Sequence, residues 1–222
     1  MRGGARLKLM RVVSVNVSMP LDVPAPDGVV RTGIFKQAVA GPVKVRALNL
    51  DGDGQADLEN RGVDKAVYAY PAEHYGVWAE RLKRPPFPAG QFGENLTVEG
   101  MVETDVHVGD VYRMGAALLQ VAQPRAPCYK LALKMGLPWF PREFLRSGRV
   151  GFYLRVLEEG PVRAGDAIER VEREPEILTV REASRLRYLD PEDVEGARRA
   201  LRVRALPRRW REDFEARTRA AP

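Results

Sequence analysis

Between Arg11 and Arg173 the apolar residues recur with a period of mostly two, and Gly, Pro or Asp interrupts them about every ten residues. Runs that short leave little room for helix, so the chain is committed to many short strands joined by tight turns. Val13-Ser14-Val15-Asn16-Val17, Val43-Lys44-Val45-Arg46-Ala47 and Leu118-Leu119-Gln120-Val121 predict strands by their alternation. Residues 106–112 and 162–168 echo each other, each placing Gly-Asp between apolar strand residues, which suits a tight turn. A barrel or sandwich accommodates this pattern better than a doubly wound sheet. One helix is predicted over residues 72–83, because Pro71 favours a first turn and Tyr75, Trp78 and Leu82 recur at helical spacing until Pro85-Pro86. A shorter one is predicted over 139–145.

After Pro175 the period becomes helical. Thr179-Val180-Arg181-Glu182 has the pattern of a capping box, opening a helix that reaches about Tyr188. Asp190-Pro191 reads as an N-cap and first-turn pair, and Pro207 opens a third helix with Trp210 and Phe214 four apart on one face. Each is too short to be stable alone, so the three must pack on one another or on the strands. The expected architecture is therefore mainly β, with a β-barrel domain over residues 1–175, a few short helices within it, and a small three-helix bundle over 176–222.

With 222 residues, 45% hydrophobic and 30% charged, the chain can bury a substantial core, and its apolar runs are far too short to span a bilayer. The basic start Met1-Arg2-Gly3-Gly4 is followed by no signal-peptide core, which leads us to expect a cytoplasmic protein with no membrane partner. A net charge of +6 invites a nucleic-acid reading. The 29 Arg and 7 Lys are nevertheless spread beside Asp and Glu rather than clustered, which argues for an ion-paired surface over a nucleic-acid footprint.

Cys128 is the only cysteine and stands in Gln123-Pro124-Arg125-Ala126-Pro127-Cys128-Tyr129-Lys130. No internal disulfide can form. Two prolines keep the approach extended, as a loop that presents a side chain, and Arg125 and Lys130 bring positive charge that favours a thiolate. A core cysteine acting as a small hydrophobe is the competing reading. Upstream, Asn60-Arg61-Gly62-Val63-Asp64-Lys65 precedes an apolar strand, so Arg61 and Lys65 are candidate anion donors at a rim. Gly90-Gln91-Phe92-Gly93-Glu94-Asn95-Leu96-Thr97 lacks the features of a phosphate loop or a dinucleotide fingerprint, and its glycines are expected to serve turn geometry before a strand carrying Glu94 and Asn95. His74 and His107 have no zinc-site spacing, and His74 is expected to be a half-exposed helix residue. A Cys-His-Asn/Asp hydrolase stays open, since triad members need only meet in space.

Together, the runs 90–97, Val108-Gly109-Asp110, 123–130 and 147–156 resemble the MOSC domain, named for the C-terminal domain of molybdenum cofactor sulfurase. The resemblance spans roughly residues 12–173, and Asp64-Lys65-Ala66-Val67-Tyr68-Ala69-Tyr70-Pro71 with the helical tail resembles the bacterial branch associated with resistance to hydroxylaminopurine. It implies a MOSC β-barrel, a three-helix C-terminal domain and a molybdenum cofactor (molybdopterin) near Cys128. Cys128 would be the catalytic thiolate and ligand to molybdenum, and Arg61, Lys65, Glu94, Asn95, Arg125, Lys130 and Arg149 would bind the cofactor. The resemblance also carries an association with pyridoxal phosphate binding. Where the resembling proteins read His-Gly-Gly ahead of the Asp-Lys, this chain has Asn60-Arg61-Gly62.

The function so implied is reduction of N-hydroxylated bases such as 6-hydroxylaminopurine. The sequence contains no flavin or nicotinamide motif and no cysteine set for an iron-sulfur cluster, so electrons would come from a separate reductase. The alternative is a sulfur carrier or cofactor-delivery protein with a persulfide on Cys128. A third idea, a basic nucleic-acid-binding tail, rests on 12 Arg against 9 Asp plus Glu in residues 175–222, a small surplus. Homodimer formation is left open.

Overall fold

The computed structural model describes residues 9–26, 28–57 and 62–220. Among these residues twelve strands and six α-helices follow one another as β1 (Arg11–Val17), β2 (Leu21–Ala25), β3 (Gly28–Thr32), β4 (Gln37–Ala38), β5 (Val43–Val45), β6 (Val67–Pro71), α1 (Glu73–Leu82), β7 (Leu96–Glu99), β8 (Val111–Met114), β9 (Ala117–Pro124), α2 (Tyr129–Met135), α3 (Phe140–Arg146), β10 (Phe152–Glu158), β11 (Gly160–Val162), β12 (Ile168–Glu172), α4 (Val180–Tyr188), α5 (Val194–Ala200) and α6 (Arg208–Ala220). The main sheet runs β12-β8-β9-β10-β6-β7-β1-β4, antiparallel except for the parallel pair β6 and β7. Its ends meet. Val12 N–H donates to Asp166 O at 2.9 Å, Gly165 N–H to Val12 O at 2.8 Å and Ile168 N–H to Met10 O at 2.9 Å, so the segment entering β12 zips onto β1 and closes the ring.

The barrel interior is filled by alternate side chains of these strands, among them Val12, Val15, Leu96, Val98, Leu119, Val121 and Leu154. A second apolar cluster lies outside, where α1, α2 and α3 cover β6: Tyr70, Trp78, Phe92, Phe140 and Phe144 pack as an aromatic stack there. The third cluster belongs to α4, α5 and α6, with Leu186, Ala197, Trp210 and Phe214 gathered around Val108 of the barrel. Among the described residues no helix is long and apolar enough to cross a membrane.

Local chemistry explains the elements and the departures from expectation. The predicted helix after Pro71 is α1, ended by Lys83 in the left-handed conformation. Thr179 Oγ1 accepts from Glu182 N–H at 3.0 Å, but only half of the capping box forms, because the Glu182 carboxylate turns to Arg185 instead. The next helix starts at Asp193, whose carboxylate accepts from Gly196 N–H at 2.7 Å, and not at Asp190, whose carboxylate pairs with Arg185. One helix was not expected at all: α2 begins directly after Cys128. Glu94 and Asn95 lie just before β7 rather than within it.

Candidate functional site

A cleft of about 480 Å³ opens beside Cys128, between the end of β9, the first turn of α2 and the loops around residues 32–36 and 53–57. Arg125 N–H still bonds Gly151 O, and past it the chain runs extended through Pro127 to Cys128, at φ −122° and ψ 176°. Cys128 is the N-cap residue of α2, yet its sulfur caps no amide and the residue is exposed. A thiol presented at the end of a stiff loop is thus what the structure shows. Tyr129, 62% exposed, and Lys130 continue the rim.

Beneath that rim the polar groups are buried and mutually satisfied. Lys36 pairs with Asp53, both side chains nearly inaccessible, and Asp53 also accepts from Ser18 N–H at 2.9 Å and Asn95 Nδ2 at 2.9 Å. Burial lowers the Lys36 pKa, with Asp53 acting in opposition. Asn95 Oδ1 takes Tyr68 N–H at 3.1 Å, so this amide joins β6 to the Asp53 loop. Arg125 is 5% exposed, donates to Phe92 O and lies 4.6 Å from the centre of the Tyr68 ring. Burial opposes its charge, but Tyr68, Tyr153 and Cys128 outweigh that and move its pKa up, so a fixed positive charge stands behind the thiol. Burial also raises the pKa of both tyrosines, against the pull of Arg125, which keeps them as neutral hydrogen-bonding groups. Lys134 ties Ile34 O at 2.8 Å to Gly90 O at 2.6 Å, its pKa lowered by burial to about 8.

Cys128, Lys65, Asn95, Arg125 and Lys130 therefore all line one cleft. The other candidates fall elsewhere. Glu94 is fully buried and spends both oxygens on the preceding turn, accepting from Gly90 N–H at 2.9 Å, Phe92 N–H at 3.0 Å, Thr97 Oγ1 at 2.9 Å and the Tyr75 hydroxyl. Gly90 and Gly93 adopt φ of 81° and 82° in that turn, and a Cβ on Gly93 would sit 2.6 Å from Ile34, so the glycines serve geometry as expected. Arg149 does not line the cleft; its backbone N–H bonds Ser147 Oγ and its carbonyl takes the Tyr70 hydroxyl. Arg61 and the neighbouring Asn60 lie outside the described residues. His74 is buried, not half-exposed: its Nε2 lies 2.6 Å from Glu103 Oε2, while Glu103 Oε1 accepts Gly151 N–H. Sequence reasoning missed Lys36, Asp53, Tyr68 and Tyr153. Asp53 sits in Asp51-Gly52-Asp53-Gly54, which reads as a plain turn, and nothing local ties it to Lys36.

Among the described residues no three His, Cys, Asp or Glu side chains are grouped to hold a metal ion. The cleft offers one exposed thiol with the Lys65 and Lys130 ammonium groups and the Arg125 guanidinium around it, against the carboxylates of Asp57 and of Asp53, the latter paired with Lys36. That set suits an anionic group bringing its own chelate to the metal and taking one sulfur ligand from the protein.

Residues 56–169 match the MOSC domain, and residues 178–219 match the YiiM-like 3-alpha helix domain. An uncharacterised Bacillus subtilis protein, YflK, is 43% identical over 204 residues, covering 91% of this chain and 92% of its own. The crystal structure of YiiM from Geobacillus stearothermophilus is 39% identical with a TM-score of 0.79, covering 94% of this chain and 99% of that one. A protein named reductase from Gibberella moniliformis is 37% identical over 154 residues, 67% of this chain but 27% of its own length.

Proposed function

The chain belongs to the MOSC-domain proteins, in the group carrying a YiiM-like three-helix domain, and from that membership we propose that it is a reductase of N-hydroxylated small molecules that holds a molybdenum cofactor at Cys128. The observation that carries the reading is the exposed Cys128 thiol at the mouth of a cleft lined by Lys65, Lys130 and the buried Arg125. Its volume of about 480 Å³ falls in the range of small-molecule sites. Cys128 would bond the metal, and Lys130 would take the pterin phosphate as a mobile point charge. Arg125 cannot swing out, since Phe92 O and the Tyr68 ring hold it, and its role is a fixed positive potential under the sulfur. The neutral tyrosines Tyr68 and Tyr153 wall the cleft without adding negative charge.

When bound, the cofactor supplies a two-electron couple that the protein's own side chains lack. Reduction of an N-hydroxylated base breaks the N–O bond, consumes two electrons and two protons, and leaves the amine and water. A separate reductase protein, or dithionite in its place, is the electron source. The reductase named among the relatives supports this class of reaction.

The test is to express wild type and Cys128→Ala in a cofactor-competent host, measure molybdenum and pterin, and assay 6-hydroxylaminopurine reduction with dithionite and a viologen. Metal and activity in the wild type, both lost in the variant, are expected. A molybdenum-loaded wild type that leaves the substrate untouched sinks the reductase reading. Absence of metal from both proteins, with a reductant-sensitive extra sulfur on Cys128, would replace it with sulfur transfer.

A further inference from the structure

We propose that the groove between the barrel and the C-terminal helices seats the phosphate of the substrate, so that the protein acts on nucleotides in preference to free bases. This rests on the reductase reading above. The groove has a volume of about 770 Å³ and shares Lys65, Ala126 and Tyr153 with the Cys128 cleft, so the two are contiguous across that wall. Its far side comes from the helical region: Arg187 and Tyr188 of α4, and Arg209 and Trp210 from the first turn of α6.

The charges there are unevenly answered. Arg187 pairs with Asp213 at 3.0 Å and Arg208 with Glu212 at 2.7 Å, but Arg209 is exposed and has no carboxylate partner among the described residues. Arg209 stands close enough to Lys65 to help burial lower the Lys65 pKa, although Asp57 and Asp64 act the other way. Asp64 is itself held by Arg155 at 2.6 Å. Two cations from opposite walls thus face one opening with a surplus of positive charge, which a phosphate dianion would relieve. Around them stand flat rings, Tyr188 and Trp210 edge to face at 5.8 Å, and Tyr153 on the shared wall. Trp210 is buried in the core of the helical region, so a heterocycle would lie against the half-buried rings of Tyr153 and Tyr188. A free base is uncharged and leaves Lys65 and Arg209 unanswered, whereas a nucleotide uses both features at once.

The experiment is equilibrium dialysis of the purified full chain against adenosine 5′-monophosphate, adenosine and inorganic phosphate. The monophosphate should bind about tenfold or more tightly than adenosine, as one charge-assisted contact to phosphate provides, and phosphate should compete with it. Arg209→Glu should abolish the advantage and Arg209→Lys should keep most of it, both with wild-type melting temperature and wild-type molybdenum content. Equal binding of nucleotide and nucleoside, or no binding of either, overturns the proposal. So does loss of molybdenum and pterin in Arg209→Glu, which would assign the groove to the cofactor. Binding is measured without turnover, so a wild type free of molybdenum would sink the reductase reading while this result stands or falls on its own.

Discussion

The floor and the rim of the Cys128 cleft are built from similar residue types and behave in opposite ways. On the floor, Lys36, Asp53, Glu94, Asn95 and Arg125 each direct a polar group at a neighbour, and the chain is buried around them. On the rim, Cys128 and Tyr129 face solvent and Lys130 is half-buried, and their side chains make no hydrogen bond among the described residues. A charged residue near a cleft is therefore no guide to ligand binding until its hydrogen bonds are followed: those of the floor hold loops together, and the rim is what a ligand can reach.

The sharpest way to break this comparison is Glu94→Ala. It strands two amides and two hydroxyls in a buried turn, and at about 1–3 kcal/mol for each unsatisfied group, partly recovered by water, the loss should reach roughly 4 kcal/mol. Urea denaturation measures it, and a loss under about 1 kcal/mol would return Glu94 to the ligand-binding candidates. Next comes Lys36→Met, which leaves the Asp53 carboxylate buried without its cation and should cost about 3 kcal/mol. Adding Asp53→Asn should recover part of that loss, and strictly additive losses would mean that the pair does not act as one unit.

A smaller effect is expected from pH at a buried polar group away from the cleft. His107, beside Arg173 and bridged to Thr179 where the barrel meets α4, has its pKa lowered by burial first and by Arg173 second. The folded protein keeps this imidazole neutral at pH values where the unfolded chain has taken a proton, so its contribution to stability is present above about 6.5 and is lost as the pH falls from there toward the folded value. Wild-type melting temperature should decline in that window more steeply than that of His107→Gln, and identical slopes would refute the assignment. Smallest of all is the rim. Cys128→Ala should change stability by no more than about 0.5 kcal/mol while removing cofactor binding, and a large loss of stability would make the thiol part of the floor.

What could be read in advance follows the range of the forces involved. Pro71, Thr179 and Pro207 act on the next few residues, so α1, α4 and α6 were legible, as were strands whose alternation is local. The Asp190-Pro191 pair misled because it carries the same local chemistry as a true cap; Asp190 and Asp193 both pair with Arg185, and it is Asp193 whose second oxygen takes the first-turn amide of Gly196. Helix α2 was hidden behind Pro124 and Pro127, although Leu131 and Met135 four apart and Gly136 beyond them are its signature. The Cys128 loop and its cations were visible as a motif. Lys36 with Asp53, and His74 with Glu103, were not, because partners 17 and 29 residues apart meet only once the barrel is formed.

The closure of the barrel by residues 165–168 against 10–12 sets an order of events during synthesis. The first strand to leave the ribosome meets the two-residue β4 within about twenty residues, but finds β7 only after some eighty and the closing segment only after about 150. Until then the nascent sheet carries two bare edges, the surfaces most prone to capture by another chain. The final zip of the ring occurs just before the helical tail is made, so a stall or truncation before residue 165 leaves every other strand in place and still yields a sticky, open sheet.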